Sequence, residues 1–514
     1  MKILLVVKEV IAYERTAISS LSAVLKAEGH EVRALIVNPP PVLPTFRTIM
    51  DRIGKLGTTP TTSQIRSNGL PEAVSEVVRE FRPHVIGYTM MTGEHQALLE
   101  LNRKLKQKFD FYTVLGGPHA QFSQQIIEEE GVDAICIGEG DTSFPEFIKR
   151  LDAGKDFWLT ETFHVKHEGK IYRNPLGPLI PDLDVLPDPD RQILYDASPS
   201  LLALGARVFF TQRGCPYHCS YCFNEKYNKN YSGLGKIMRT RSPERAIKEM
   251  EAVKERFPVD YFHIQDDVFT IKPRGWIQEF CKLYKQKINL PFAAAVRLDN
   301  LREEDVKSLS EAGLSFVWVG VETGNEAVAK EVFQRGGHLD NETIIAGCKL
   351  FQKYGVNILA LNIMGAPVEN PFEVDMETVD LNLKIKPAFA SCGLLYPFPG
   401  TPVEEYAIKT GYMREEQKGE YLESSKRHSM FKFNSEKEKK QVENLQKLAG
   451  LVIDFPFLRP LLPFLTRLPL ERFYYILFIL HVGYCYKVRM APVKNLTLEA
   501  QFWLGTLLSL LRKT

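Results

Sequence analysis

Apolar runs of strand length alternate with amphipathic helical stretches along the first third of the chain. Lys2–Val7, Glu31–Val37, Val85–Met90, Thr113–Leu115 and Ala134–Ile137 read as strands, with helices over Thr16–Glu28, Glu94–Phe109 and Ser123–Glu130. In Thr16–Glu28 the apolar Leu21, Val24 and Leu25 share one face, and Gly29 ends the helix. Such alternation predicts a doubly wound parallel sheet, the Rossmann-like α/β class, which binds ligands at the carboxyl ends of its strands. Between 156 and 198 the pattern changes. Prolines crowd Asn174-Pro175-Leu176-Gly177-Pro178 and Leu186-Pro187-Asp188-Pro189-Asp190, which predicts an extended linker. From 199 to 405 the alternation resumes, with strands at Val208–Thr211, Tyr261–Gln265, Phe292–Arg297, Phe316–Val321, Ile358–Met364 and Gly393–Tyr396. Ser242-Pro243-Glu244 marks a helix start between the first two. Repeated strand–helix order predicts a full or partial (β/α) barrel whose functional residues lie where strands end. The chain thus divides into 1–155, 156–198, 199–405 and a helical extension over 406–514.

Composition narrows the class. Hydrophobic residues make up 44% and charged residues 25%, as in ordinary globular proteins. The net charge of +2 gives no bulk electrostatic case for nucleic acid. Met1–Val7 lacks the small-residue cleavage site of a signal peptide and reads as a first buried strand. Five of the eight cysteines (Cys136, Cys281, Cys348, Cys392 and Cys485) are scattered singly, which fits a reducing, cytoplasmic setting. In the C-terminal part the uncharged run Phe473–Tyr486 falls short of the about 20 residues a spanning helix needs. It reads first as a buried helix packed on the barrel. Beside that stands peripheral membrane contact through 455–489, since Arg459, Arg467, Arg472, Lys487 and Arg489 flank the apolar run.

The remaining three cysteines fall inside Gly214-Cys215-Pro216-Tyr217-His218-Cys219-Ser220-Tyr221-Cys222, spaced C-x3-C-x2-C. Thiolates this close converge on one metal centre. Three ligands instead of the four usual for an iron–sulfur cluster would leave one iron open. Zinc held by Cys215, His218, Cys219 and Cys222, or a cluster of buried free cysteines, are the other readings. At the ends of later strands stand Asp266, Asp267, Arg297, Glu322, Gly324, Gly365 and Pro399-Gly400-Thr401. Each has a bland reading as a cap, a surface ion-pair partner or a solvated end. Their recurrence after successive strands points to a site. No general acid or base is identifiable among them.

The cysteine spacing, with Tyr221 before the last cysteine, resembles the radical S-adenosylmethionine (SAM) superfamily. The resemblance implies that Cys215, Cys219 and Cys222 hold a 4Fe–4S cluster whose fourth iron chelates SAM, that SAM is split into methionine and a 5′-deoxyadenosyl radical, and that Tyr221 lies near the adenine. Gln265-Asp266-Asp267-Val268-Phe269 and Val319-Gly320-Val321-Glu322-Thr323-Gly324 resemble its SAM-contacting strand ends. That makes Asp266, Asp267, Arg297, Glu322 and Gly324 candidates for SAM, with carboxylates suited to its amine and hydroxyls and arginine to its carboxylate.

The N-terminal loops carry a second resemblance, to the cobalamin-binding domains that precede some radical SAM domains. Asn38-Pro39-Pro40, Thr89-Met90-Met91-Thr92-Gly93, Gly116-Gly117-Pro118-His119 and Gly138-Glu139-Gly140-Asp141 follow successive strands. The implied cobalamin residues are Asn38, Thr89, Met90, Thr92, Gly116, Gly117, His119, Gly138, Glu139 and Gly140. The D-x-H-x-x-G motif of many such domains is absent, since the first loop reads Lys8-Glu9-Val10-Ile11-Ala12-Tyr13, so that motif supplies no histidine to cobalt. Together the resemblances imply a cobalamin-dependent radical SAM methyltransferase. It would act on an unactivated carbon or a phosphinate phosphorus of a small, hydrophobic or secondary-metabolite substrate, with electrons from a donor such as flavodoxin or ferredoxin. A radical SAM cyclase or oxidase without methyl transfer, and a non-enzymatic cobalamin or redox sensor, are the alternatives.

Overall fold

Five parallel strands carry the first folded unit: β1 (Lys2–Glu9), β2 (Glu31–Asn38), β3 (Val85–Thr89), β4 (Tyr112–Gly116) and β5 (Ala134–Cys136). The structure is a computed structural model that describes residues 1–9, 14–38, 72–418, 421 and 427–490. The sheet order is β2-β1-β3-β4-β5, the flavodoxin-like arrangement. Ile3, Leu4, Leu5 and Val6 are all buried, because helices cover both faces of a parallel sheet. These helices are α1 (Thr16–Ala27), α2 (Glu72–Phe81), α3 (His95–Lys106) and α4 (Gly140–Asp152). The helix expected over Ser123–Glu130 is only a single 3-10 turn, Gln124–Glu128.

The extended linker expected over 156–198 is not what forms. Strands β6 (Phe163–His167) and β7 (Lys170–Arg173) make an antiparallel hairpin that continues the sheet beyond β5. Phe163 and Val165 are fully buried there, and the prolines are confined to the stretch that follows. A short helix, Gln192–Ala197, returns to the same unit, where Arg191 and Tyr195 both donate to the buried Glu14 carboxylate.

Among the described residues the second unit takes in 181–184 and those from 206 to 490. It begins with β8 (Ala206–Phe209) and a small antiparallel pair, β9 (Gln212–Arg213) with β10 (Arg239–Thr240). Between these two lies α5 (Phe223–Asn230), and after them comes α6 (Pro243–Arg256), capped by the Ser242 hydroxyl on the Arg245 N–H. Strands β11 (Tyr261–Ile264), β12 (Phe292–Val296), β13 (Leu314–Glu322), β14 (Asn357–Met364) and β15 (Phe389–Leu394) complete a parallel sheet in the order β8-β11-β12-β13-β14-β15. This is a partial barrel, since β8 and β15 are its two edges. Strand β15 starts four residues before the expected Gly393, because Phe389 pairs with Leu359 on β14.

Alternation sorts the strand residues to two sides. Phe209, Phe262, Ile264, Ala294, Val317, Val319 and Ile358 pack outward in one core with the helices. Ala206, Tyr261, Ala293, Phe316, Leu359 and Phe389, at the strand starts, meet Cys485 and Met490 from the chain's C-terminal part, which closes that end of the barrel. Helix α7 (Glu436–Asp454) lies along the edge strand β15, where Gln446 Nε2 donates to the Cys392 carbonyl at 2.8 Å and Gly450 allows close approach to the Ala390 carbonyl. The contact covers an edge that would otherwise be open to pairing.

The buried helix expected over Phe473–Tyr486 forms as α8 (Glu471–Tyr484), but it is buried on one side only. It buries Tyr474 and Tyr475 but exposes Phe473, Ile476, Leu480 and Tyr484. Among the described residues no helix is long and apolar enough to cross a membrane.

Candidate functional site

The strands of the partial barrel run parallel, so their carboxyl ends share one rim. Strand β8 delivers the chain into the cysteine loop. Gly214 is the hinge: its φ is 86°, and a Cβ there would lie 2.2 Å from the Ile237 carbonyl oxygen. The loop then turns back on itself, with the Cys222 N–H bonded to the Cys219 carbonyl at 3.0 Å, and Cys222 stands at the N-terminus of α5. Long-range bonds fix it. Ser220 donates from its N–H to the Phe333 carbonyl at 2.9 Å and from its hydroxyl to the Val332 carbonyl at 2.5 Å, and Asn228 Nδ2 donates to the Cys215 carbonyl at 2.9 Å.

The donor set suits an iron–sulfur cluster. The thiols of Cys215 and Cys222 are both pushed up to about 12, first by burial, with the Asp267 carboxylate and the neighbouring cysteines adding to it. The backbone N–H groups of Tyr217 and Asn224 donate to these sulfurs and oppose the rise. Bound metal overrides such a shift, because a coordinating thiol is deprotonated outright. His218 is exposed, unlike the buried Cys215, which argues against its joining the cysteines as a zinc ligand.

Around this loop the structure separates the candidate SAM residues into two groups. At this rim Glu322 is partly accessible and Asp267 exposed. Glu322 closes β13 with φ 64°, a left-handed conformation costly for glutamate, at an irregularity in the β13–β14 register. Gly320 makes room for it, since a Cβ there would meet Glu322 Oε1 at 2.5 Å. The Tyr221 hydroxyl bonds to this carboxylate, and the Tyr221 ring packs edge-on against Phe333 at 5.2 Å. Burial raises the Glu322 pKa, opposed by the charges of Arg335 and Arg297 and by the Tyr221 bond. Asp267 is solvent-accessible, yet the walls around it also raise its pKa, opposed by the bond from Asn224 at 3.0 Å.

Asp266, Gly324 and Arg297 are committed elsewhere. Asp266 is buried and accepts from the Thr211 and Gln212 N–H groups, the Thr211 hydroxyl and Lys272 Nζ. It fastens the entry to the cysteine loop. Gly324 is small because a Cβ would lie 2.3 Å from the Glu377 carbonyl oxygen, and its N–H bonds to Thr378, so internal packing explains the glycine. Arg297 directs Nε at Asp299 (2.9 and 3.1 Å) and one terminal nitrogen at the Gly336 carbonyl, over the Tyr217 ring at 3.6 Å. An open bidentate fork for a ligand carboxylate is therefore not what this arginine presents. Asp299, Tyr217, Arg335 and Lys272 escaped the reading of the sequence. The only local signal was the position of Asp299 two residues after Arg297.

The first unit offers a second edge, at the ends of β3, β4 and β5. Thr89, Thr92, Gly116, Gly138, Glu139 and Gly140 are partly accessible there. Met90 and His119 are not. His119 is buried, stacked on His95 at 3.9 Å and bonded to Thr92 at 3.2 Å, and its pKa falls to about 3 through burial and then the His95 charge. Gly117 (φ 88°) is required by the Met90 backbone, whose carbonyl would sit 2.8 Å from a Cβ. Asn38 ends β2. Pro39, Pro40 and most of the first loop lie outside the described residues.

Residues 209–378 match the radical SAM superfamily, and residues 12–148 match the B12 binding domain. The chain therefore carries a radical SAM domain. More particularly, a B12-binding domain stands ahead of it in the same chain. This pairing implies a 4Fe–4S cluster, SAM and cobalamin as cofactors. Among its relatives are an uncharacterized methyltransferase of Pyrococcus horikoshii, 25% identical over 340 residues (65% of this chain, 72% of the relative), and the anaerobic magnesium-protoporphyrin IX monomethyl ester cyclase of Rubrivivax gelatinosus, 27% identical over 348 residues (65% and 60%). A third is the cytidylyl-2-hydroxyethylphosphonate methyltransferase of Streptomyces wedmorensis, 24% identical over 329 residues (57% and 60%). The alignment thus spans less than two thirds of the latter two. The fold is shared with the cobalamin-dependent SAM radical enzyme OxsB, solved with aqua-cobalamin (TM-score 0.65, 16% identity, 100% of this chain and 80% of that one). It is also shared with the radical SAM methyltransferase TsrM of Kitasatospora setae (TM-score 0.59, 17% identity, 79% and 78%).

Proposed function

We propose that the protein is a cobalamin-dependent methyltransferase acting at an unactivated carbon, or a phosphinate phosphorus, of a small hydrophobic molecule. The observation that supports this most is the three-cysteine loop at the rim of a barrel whose next strand ends present Asp267 and Glu322. In this reading Cys215, Cys219 and Cys222 hold the cluster, and residues 1–155 and 199–405 are the cobalamin and SAM domains. Thr89, Thr92, Gly116, Gly138, Glu139 and Gly140 approach the corrin. When bound, the cluster and SAM supply a carbon-centred radical, and cobalamin carries the methyl group.

The chain's own residues bind, orient and exclude water. Glu322, aimed by its left-handed backbone and by Tyr221, takes the SAM amine, while Arg297, braced by Asp299, holds Tyr217 beneath it. The barrel interior favours an apolar substrate. Trp318 stacks on His263 at 3.8 Å, and Leu361 of β14, the strand beside the edge strand β15, stays 36% exposed on the inner face. A Cβ at Gly393 would meet nothing within 4 Å. Electrons come from an external donor such as flavodoxin or ferredoxin. We also assign 455–489 to contact with a membrane surface.

Glu322→Gln is expected to weaken SAM binding by roughly ten- to a hundredfold, the worth of about 1.5–3 kcal/mol for a hydrogen bond to a charged group. Equilibrium binding to the reconstituted protein measures it, and unchanged affinity removes Glu322 from the role. A second reading, cyclisation or oxidation without methyl transfer, has the Rubrivivax relative's name in its favour. SAM labelled in its methyl group decides between them. Product gaining the labelled methyl supports methyl transfer; 5′-deoxyadenosine formed with product that only loses hydrogen overturns it.

A further inference from the structure

Ten of the fifteen large apolar side chains exposed among the described residues lie between Phe455 and Val488. They are not scattered. On α8, Phe473, Ile476, Leu480 and Tyr484 recur at helical spacing along one face, while Tyr474 and Tyr475 fill the opposite, buried side. The preceding segment repeats the pattern, with Phe457, Leu461 and Phe464 at four and three residues apart, and Phe457 is 73% and Phe464 65% exposed. A soluble surface rarely leaves so large an apolar set uncovered without a partner.

The charges of the same segment choose among partners. Residues 455–490 hold five cations (Arg459, Arg467, Arg472, Lys487 and Arg489) and one acid, Glu471, in a chain whose net charge is only +2. Arg459 and Arg489 are bound internally to Asp380 and Asp454. Arg467 and Arg472 are exposed beside Phe464, Leu470 and Phe473. A second copy of the chain docked through this face would oppose like charges across a two-fold axis. An anionic lipid surface matches both features, because aromatic and aliphatic side chains enter the headgroup boundary while arginines meet the phosphates. Helix α8 runs on into a π-helical turn over Cys485–Met490, and no helix among the described residues is long and apolar enough to cross a bilayer core.

We propose that the face formed by Phe457, Leu461, Phe464, Phe473, Ile476 and Leu480, with Arg467 and Arg472, docks the protein in the plane of an anionic membrane. This deepens the assignment of 455–489 above, and it is independent of the chemistry assigned to the cysteine loop.

The test is co-sedimentation of the full, cluster-loaded chain with vesicles of phosphatidylcholine alone or mixed with phosphatidylglycerol. Binding is expected to the mixed vesicles and to fall with added salt. Arg467→Glu with Arg472→Glu should weaken it by about tenfold or more, as expected for two cations at roughly 1 kcal/mol each near an anionic surface. Phe457→Asp with Phe464→Asp should reduce it to the level of phosphatidylcholine alone, with circular dichroism and iron content unchanged. The proposal is overturned by absence of binding to either vesicle, by equal binding to both, or by aspartate variants that bind like the parent. A lipid-free dimer in sedimentation equilibrium that the aspartate variants dissolve gives the face to a second copy and also overturns it. SAM cleavage is followed in the same preparations. In the parent protein, vesicle binding without SAM cleavage counts against the catalytic reading alone, and SAM cleavage without vesicle binding counts against docking alone.

Discussion

Alanine at Cys215, Cys219 and Cys222 together is expected to give a folded protein that takes up no iron–sulfur cluster and cleaves SAM only at the uncatalysed background. The fold asks little of these thiols. The loop's shape comes from Gly214, from the Ser220 bonds to Val332 and Phe333, and from Asn228, none of which needs sulfur. The three cysteines also stand outside the large apolar cores of the second unit. Folding and cofactor loading should therefore separate cleanly. Iron and sulfide analysis, the brown colour of anaerobic preparations, and 5′-deoxyadenosine formation measure the second; thermal unfolding measures the first. A triple variant with parental iron content, or with parental SAM cleavage, is incompatible with the cluster assignment.

The largest stability effect is expected at Asp266. Its carboxylate serves Lys272 Nζ at 2.6 Å, the N–H groups of Thr211 (2.7 Å) and Gln212 (3.0 Å), and the Thr211 hydroxyl. Lys272 is itself buried, under Phe269 and Trp276. Asp266→Ala leaves that ammonium without its counter-charge and should cost about 3–5 kcal/mol, the loss typical when one member of a buried pair is removed. The pH dependence has a definite sign. Burial already lowers the Lys272 pKa below 10.5, and Asp266 opposes that shift. Without Asp266 the folded state binds its proton still less well than the unfolded state. Stability of the variant then rises with pH up to the unfolded lysine value, and the deficit is larger at neutral pH than near pH 10.5. Denaturant unfolding at the two pH values checks this. Asp266→Leu combined with Lys272→Met should recover most of the loss. A deficit for the single variant below about 1 kcal/mol would mean the pair contributes no more than a surface contact.

Strand–helix alternation was enough to read most elements of both sheets, and the spacing of the cysteines was enough to single out the loop that follows the first strand of the partial barrel. What stayed hidden depended on partners far away in sequence. Asp266 and Asp267 are neighbours with opposite fates, one buried against Lys272 and one exposed, and past the end of a strand no periodicity tells them apart. Gly324 answers to the Glu377 carbonyl and Arg297 to the Gly336 carbonyl, contacts that only the folded chain creates. Prolines over 175–189 drew attention from the alternating Phe163 and Val165, whose burial gives the hairpin its place in the sheet. Helix α8 misled for another reason. Apolar residues on all sides read as a core helix, whereas the structure buries only one side.

The anchoring of Ser220 bears on the order of biogenesis. Its three backbone and hydroxyl bonds reach Val332, Phe333 and Val403, the last through the Val403 N–H at 3.1 Å. A ribosome that has released only the cysteine segment has not yet made the residues that shape it. In the proposed reading, iron delivery then waits until synthesis has passed Val403, and carrier proteins that load the cluster should recognise a chain in which β15 has already been made.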